Sequence, residues 1–315
     1  MNNSTLTKGI SVIIPFFNGV HLLKKNLPSI FSALQSTGLP HEVIVMDDCS
    51  TETPKEFLAE NFPSVILIQN TVNLGFGANV NKGVNNAQYS LSLLLNSDIE
   101  LTQNYFREQL PLFDKNDTFA TGGKIVTPGT DHIEAGWKGY IRSKKIKWEP
   151  FQPQSGIHYS FYICGGNALV NTAKFIEIGG FSSLFKPFYV EDVELTIKAW
   201  RTGYKSYYIP EAVCHHETSS TIKKHFQSET INIAHKKNQH LLNMLHGDDA
   251  IFLKESFKMR ANQLLSLLGL IKKDRQLVNE AILAMYAQAK AFRKEKTFNW
   301  SVKQVIEFTK SPYIS

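Results

Sequence analysis

The stretch Ser90 to Leu101, SLSLLLNSDIEL, sets the narrowest limits on the fold. Leu91, Leu93, Leu94 and Leu95 make a nearly continuous apolar run, too short for a typical helix and suited to a strand covered on both faces of a parallel sheet. The run breaks at Asn96-Ser97-Asp98. Ligands of open α/β sheets collect at the carboxyl ends of strands, so Asp98 is expected to point into a crevice. A hard, oxygen-bound divalent cation and a diphosphate would both fit there. The plainer reading makes these three residues a turn and the cap of a following helix.

The chain before this stretch reads as its support. Ile10 to Pro15 is a first buried strand, closed by the turn Phe16-Phe17-Asn18-Gly19. A helix is expected over Val20 to Ser36, with Pro28 as its one discordant residue and Gly38 closing it. Glu42 to Met46 is a second strand running into Asp47-Asp48, Pro54 helps to start the next helix, and Ser64 to Gln69 is a third strand. This β-α-β-α-β order predicts right-handed crossovers, a mostly parallel sheet and an α/β class. Asn70 to Asn86 is crowded with Gly and Asn, small residues that let backbone approach a ligand. Its Gly75-Phe76-Gly77 is misplaced for a dinucleotide fingerprint and lacks the third glycine, which argues against a Rossmann oxidoreductase.

Cys49, Cys164 and Cys214 are scattered and odd in number, so neither a disulfide framework nor a zinc site is expected. A formal net charge of +6 favours anionic partners without choosing among them. The first ten residues lack the apolar core of a signal peptide, and no window is apolar for long enough to span a bilayer. A cytoplasmic protein is expected, one that could dock on the inner face of the cell membrane.

The blocks VIIPFFNG, EVIVMDDCST, NLGFGANVNKG and LLLNSDIEL, in this order, resemble the nucleotide-binding half of a family 2 glycosyltransferase of the GT-A fold, nearest its rhamnosyltransferase-like branch. Phe161 to Tyr204 resembles the family's acceptor-side segment, with a Gly-rich loop, a Gly-Gly-Phe turn, a Glu-Asp pair and a helix ending near Gly-Tyr. The resemblance covers roughly residues 8 to 240. It implies a catalytic domain over 1–227 with a mostly parallel central sheet flanked by helices, and leaves 228–315 as a helical C-terminal extension.

The resemblance also implies roles. Pro15, Asn18, Asp47 and Asp48 would meet the nucleoside, with Asn81 and Gly83 beside it. Asn96-Ser97-Asp98 stands where the family has Asp-x-Asp, so Asp98 is the expected ligand of Mg²⁺ or Mn²⁺; Asn96 replaces the first acid, and Glu100 could compensate. Asp192 is the candidate general base with Glu191 supporting it, and Gly165, Gly166 and Asn167 would floor the cleft. A histidine after the last strand would reach back to the metal; His215 fits that offset better than His216, and Ser219, Ser220 and Thr221 could donate to phosphate. The chemistry agrees: a divalent ion neutralises the departing diphosphate, and a carboxylate takes the acceptor's proton. On the plainer reading, Glu191, Asp192 and Glu194 only favour the first turn of a helix.

Between the halves, Trp137, Tyr140, Trp148 and Phe151 interleave with Arg142, Lys144, Lys145 and Lys147. This segment is either an acceptor site or lid, or a hairpin that packs its aromatics and solvates its lysines. From Ser228 onward, Glu229 to Leu245, Ala250 to Leu270 and Lys273 to Lys294 read as basic helices. They could lie on an anionic membrane, pack on the catalytic domain, or join a second copy as a homo-oligomer. The expected partners are a nucleotide-sugar donor and a glycan or lipid-linked acceptor, in bacterial surface polysaccharide assembly. A nucleotidyltransferase, and a nucleic-acid-binding protein using the basic tail, are the alternatives; no nucleic-acid partner is expected on the favoured reading.

Overall fold

Strand and helix alternate as the apolar runs require: β1 (Thr7–Phe16), α1 (Val20–Gln35), β2 (His41–Asp47), α2 (Lys55–Asn61), β3 (Ile66–Gln69), α3 (Phe76–Asn85) and β4 (Tyr89–Leu95). The computed structural model describes residues 6–130, 133–134, 136–216 and 227–313. β3, β2, β1 and β4 lie side by side and parallel. The chain winds outward from β1 to β3 and then returns to place β4 on β1's other side. Such a reversal opens a crevice beyond the carboxyl ends of the two central strands. The loops after β1 and β2 and the Asn96-Ser97-Asp98 turn after β4 therefore share one edge of the sheet.

Past that turn the chain forms a short strand, β5 (Ile99–Leu101), and not the helix of the plainer reading. β6 (Thr118–Val126), β7 (Ile133–Glu134), the hairpin β8 (Gly136–Ile141) and β9 (Ile146–Phe151), and β10 (His158–Tyr159) follow. Then come β11 (Asn167–Asn171), α4 (Thr172–Glu177), α5 (Glu191–Thr202) and β12 (Lys205–His216). β11 runs antiparallel between β4 and β6, and β12 extends the sheet beside β6. β5 pairs with the end of β12. The sheet is thus parallel on one side of β4 and mixed on the other.

Side-chain alternation divides the core between the two faces of this sheet, as the pleat demands. Val12, Ile14, Phe16, Val43, Val45 and Leu93 belong to one buried cluster. Ile13, Ile44, Met46 and Leu94 join Val80 and Val84 of α3 in the other.

The C-terminal part is α6 (Ser228–His246), α7 (Asp249–Leu267), α8 (Lys273–Glu295) and α9 (Val302–Lys310). The last was not foreseen, since it follows Lys296-Thr297-Phe298, which breaks the helical pattern. Ser301 and Gln304 start it with a reciprocal capping box. Trp300 stacks on Trp200 of α5 at 6.4 Å and Phe308 meets Tyr159 at 4.9 Å, so the tail packs on α5 and β10. Among the described residues no helix is long and apolar enough to cross a membrane.

Gly83 has a packing role that differs from its expected place beside the nucleotide. A Cβ on it would lie 2.5 Å from Ile13 and 2.9 Å from Met46, so α3 can sit this close to the sheet only through a bare backbone. Overpacking such a contact costs on the order of 2 kcal/mol. Gly83→Val should therefore lower stability by about that amount, read from the midpoint of urea unfolding.

Candidate active site

The loops at the sheet edge are knitted by their own polar side chains. Asn18 Oδ1 accepts hydrogen bonds from the Thr51 and Glu52 amides, both at 3.0 Å, which ties the loop after β1 to the loop after β2. Pro15 is half-buried at the end of β1, opposite Met46. Asp47 is buried; its Oδ1 accepts from the Ser50 amide and its Oδ2 from Gln69 Nε2, each at 3.0 Å. Each carboxylate oxygen retains capacity for a second donor.

Asp48 serves the fold. Its Oδ1 accepts from Asn70 Nδ2 and the Leu74 amide at 2.9 and 2.8 Å, and its Oδ2 from the Gly75 amide at 2.9 Å. The Gly/Asn-rich segment is wrapped around this carboxylate, and buried Asn79 completes the network by accepting from Asn70 at 2.8 Å. Asn81 likewise turns away from the expected nucleotide side. Its Nδ2 donates to the Phe181 carbonyl at 2.8 Å and its Oδ1 accepts from the Phe181 amide at 2.9 Å, pinning the Gly-Gly-Phe turn.

Asn96, Ser97 and Asp98 form a tight turn that Asn26 of α1 supports by donating to the Ser97 carbonyl at 2.8 Å. Asp98 Oδ2 lies 3.2 Å from His216 Nε2, and the buried Oδ1 has no hydrogen-bond partner. The hydrogen bond to Asp98 raises the His216 pKa, against the opposing effect of burial. The expectation for His215 is corrected here. On β12 His215 sits opposite exposed Glu100, whereas His216 sits opposite buried Ile99, so adjacent histidines take opposite faces. Glu100 shares the outward face and does not supplement Asp98. Ser219, Ser220 and Thr221 lie outside the described residues.

No cluster of three or more His, Cys, Asp or Glu suited to a metal occurs among the described residues. The residues present nonetheless fit a divalent ion that draws its remaining ligands from a substrate diphosphate and water, as Mg²⁺ often does. The unpartnered Asp98 Oδ1 and the imidazole of His216 supply two donors of suitable kind.

The second acidic centre is joined to the first through the turn before β11. Gly166 accepts from the Asn96 amide at 3.0 Å and packs so closely on the Asn96 side chain that a Cβ would lie 2.5 Å from it. Its neighbour Gly165 donates to Asp192 Oδ2 at 3.3 Å. Asn167 does not floor the cleft: it is buried, its Oδ1 accepting from Tyr105 and its Nδ2 donating to the Gly123 carbonyl at 3.2 Å. Glu134 of β7, which the sequence reading missed, acts electrostatically on both Asp192 and His216. Its strand is two residues long and offered no periodic signal.

Burial raises the Asp192 carboxyl to about 6, tempered by amide hydrogen bonds from Val193 and Gly165. Burial and the charge of Asp192 raise Glu191 to about 8, and its Oε2 is buried without a partner. Burial thus works against both carboxyls being charged at once and bears harder on Glu191, which also feels the charge of Asp192. Tyr162 stands nearby, its phenol raised by burial and by Asp192. Trp137 stacks on Tyr162 at 4.8 Å and Trp148 meets its edge at 5.9 Å, so the hairpin packs its tryptophans beside Asp192.

α6 holds the loop that delivers this pair. Asn238 Nδ2 points at the carbonyls of Phe185, Phe188 and Tyr189 at 2.7, 2.9 and 2.8 Å. Lys237 donates to the carbonyls of Leu184 and Lys186. These bonds restrain Tyr189 and Val190, whose φ values of 74° and 72° are costly for such side chains. One turn along α5, buried Glu194 accepts from His246 Nε2 at 3.2 Å, and His246 Nδ1 lies 3.1 Å from Arg201. Burial lowers His246 to about 4, so the neutral ring relays Arg201 to Glu194.

Residues 11–179 match the family model described as glycosyl transferase family 2. The chain is 24% identical over 246 residues to the N-acetylglucosaminyl-diphospho-decaprenol L-rhamnosyltransferase of Mycobacterium tuberculosis, covering 67% of this chain and 76% of that protein. Among solved structures it resembles GalNAc-T7 with UDP, GalNAc and Mn²⁺, with a TM-score of 0.63 and 17% identity, over 91% of this chain and 58% of that one. It also resembles S. aureus TarS 1-349 with UDP-GlcNAc, with a TM-score of 0.57 and 18% identity, over 96% and 91%. A third is the mannosyltransferase PcManGT of Pyrobaculum calidifontis with GDP-Man and Mn²⁺, with a TM-score of 0.56 and 15% identity, over 91% and 88%. At these identities the likeness is one of fold, and that fold is GT-A. The chain spans little more than half the length of the GalNAc-T7 chain.

The raised Glu191 carboxyl has a consequence for stability. Because the Glu191 pKa is raised on folding, its contribution is full below about 4.5, its ordinary value, and is lost as pH rises through about 8. Glu191→Gln cannot ionise, so it should melt at the wild-type temperature in acid and above it in alkali. Calorimetric scans across that range measure the crossover.

Proposed function

The chain is a member of glycosyl transferase family 2, and from that premise we propose an inverting, metal-dependent transfer of a sugar from a nucleoside diphosphate to a glycan or lipid-linked hydroxyl. The reading is carried by the Gly165-Gly166 turn, which touches Asn96 on one side and Asp192 on the other. On this reading a leaving-group centre and a proton acceptor stand on either side of that turn. Family membership sets aside the nucleotidyltransferase alternative.

On this reading the loops after β1 and β2 seat the nucleoside, with Pro15 and Asn18 shaping the entrance and Asp47 accepting from base or ribose. Asp98 and His216 would hold Mg²⁺ or Mn²⁺, which when bound neutralises charge on the diphosphate. Asp192 takes the proton of the acceptor hydroxyl as that oxygen attacks the anomeric carbon from the face opposite the diphosphate. The sugar–phosphate bond breaks, configuration inverts, and no covalent enzyme intermediate forms. Glu191, protonated, adds no second charge beside the base. Trp137, Trp148 and Tyr162 offer an aromatic wall against which an acceptor sugar can rest.

The mycobacterial relative's name specifies rhamnosyl transfer to a diphospho-decaprenol-linked sugar, which supports dTDP-rhamnose as first donor, UDP-sugars as next, and a surface-polysaccharide pathway. The test incubates the protein with Mg²⁺ or Mn²⁺ and a panel of nucleotide sugars, following nucleoside diphosphate release and thermal shift. Asp98→Ala should abolish metal-dependent stabilisation by the donor. Asp192→Asn should keep that stabilisation and lose transfer by roughly 100- to 10,000-fold, the usual worth of a general base. Wild-type turnover in either variant would remove its assignment.

A further inference from the structure

Away from the crevice, α6, α7, α8 and the start of β9 enclose a cavity of about 650 Å³. Lys145, Lys147, Lys258, Lys272 and Arg275 line it. The two carboxylates in its wall are already matched, Asp274 by Lys236 at 3.1 Å and Glu255 by His240. The wall therefore holds more cations than carboxylates, with Lys258 also 3.0 Å from His240 Nε2. Burial, then the charge of Lys145, lowers the pKa of both Lys147 and Lys258, and the opposing charge of Glu255 does not offset the two.

A second observation points to a ligand. Asn262 and Asn279 also line this cavity, both more than nine-tenths buried, and the side-chain oxygen of each has no partner. Buried polar groups are normally satisfied. An amide can present either end to a guest, as N–H to a phosphate oxygen or as C=O to a hydroxyl.

The side of α7 turned away from the cavity carries a surface of another character. Leu253, Phe257, Leu264 and Leu268 repeat at helical spacing along the side of α7 opposite buried Glu255, Met259 and Asn262, and all four are exposed. Phe257 is 75% exposed and Leu267, beside them, 81%. Leu270, 70% exposed, also lines the cavity, so the apolar face runs to its mouth. Contiguous exposed leucines flanked by lysines suit the plane of a membrane.

We propose that this cavity binds the phosphate headgroup of an anionic lipid while the apolar face of α7 rests on its chains. The phosphate oxygens meet Lys147, Lys258 and Arg275, and the phosphate's own hydroxyl donates to the free side-chain oxygens of Asn262 and Asn279. The site depends on neither the donor nor the acceptor assignment above. α6 is shared between the two regions: His235 and Lys236 face the cavity, and the adjoining Lys237 and Asn238 hold the loop before Asp192. A lipid seated here would fix the catalytic crevice at a set height above the bilayer.

The test sediments the full chain with phosphatidylcholine vesicles, with and without phosphatidic acid, and repeats it with soluble pyrophosphate as competitor. Binding should require phosphatidic acid, fall roughly tenfold in Lys147→Gln/Arg275→Gln, and weaken again in Phe257→Ser/Leu268→Ser. Melting curves and nucleoside diphosphate release from the donor check that the variants are folded and that the transfer centre is intact. Equal binding to neutral vesicles, or wild-type binding by the double charge variant, would overturn the proposal. So would tight binding of pyrophosphate by a chain that ignores phosphatidic acid vesicles.

Discussion

The arrangement of the site depends on one strand pairing. β11 runs antiparallel to β4, with Asn167 opposite Leu95 and four further pairs behind it, and this register sets Gly165-Gly166 against Asn96. Without it, the turn after β4 and the N-terminus of α5 would be unrelated ends of a long chain. A slip of one residue would turn every side chain of β11 to the wrong face of the sheet. Ala168, Leu169 and Val170 are all buried, so the hydrophobic cost of a slip falls on both faces at once. Asn167 reinforces the register from within by bonding Tyr105 and the Gly123 carbonyl.

The same fold separates two chemistries with a small set of charges. Near Asp98 a carboxylate oxygen is left without a donor beside an imidazole, which suits a cation. Near Asp192 burial dominates and raises both carboxyls, Glu191 further than its neighbour. Glu134 influences both centres electrostatically, although it belongs to the shortest kind of strand and to neither motif. The two centres must therefore be considered together when either is altered.

Most of the fold was legible because strands covered on two faces must be apolar throughout. β1, β2 and β4 were found by that rule and the half-exposed edge strand β3 by its short apolar run, with ends displaced by no more than three residues. α6, α7 and α8 were visible in their periodicity, and the carboxylates after β2 and β4 were visible from position alone. What sequence could not resolve was the destination of polar side chains. Asn81, Asp48 and Asn167 were expected to face a ligand and instead satisfy backbone groups inside the protein. Nothing local separates an asparagine that clamps a turn from one that binds a nucleotide. His215 and His216 were confused for a different reason. His215 was preferred on a family offset from Val213, and only the pairing of β12 with β5 shows which histidine faces Asp98.

The positive φ angles of Tyr189 and Val190 bear on how the protein matures. The bonds that hold them come from Lys237 and Asn238, which are made later in synthesis than every strand of the sheet. A nascent chain can complete its sheet while the segment ahead of α5 still lacks its restraint. Order in this segment thus arrives with the C-terminal helices, and a chain interrupted before them would carry the loops after β1 and β2 without a settled Glu191-Asp192 pair.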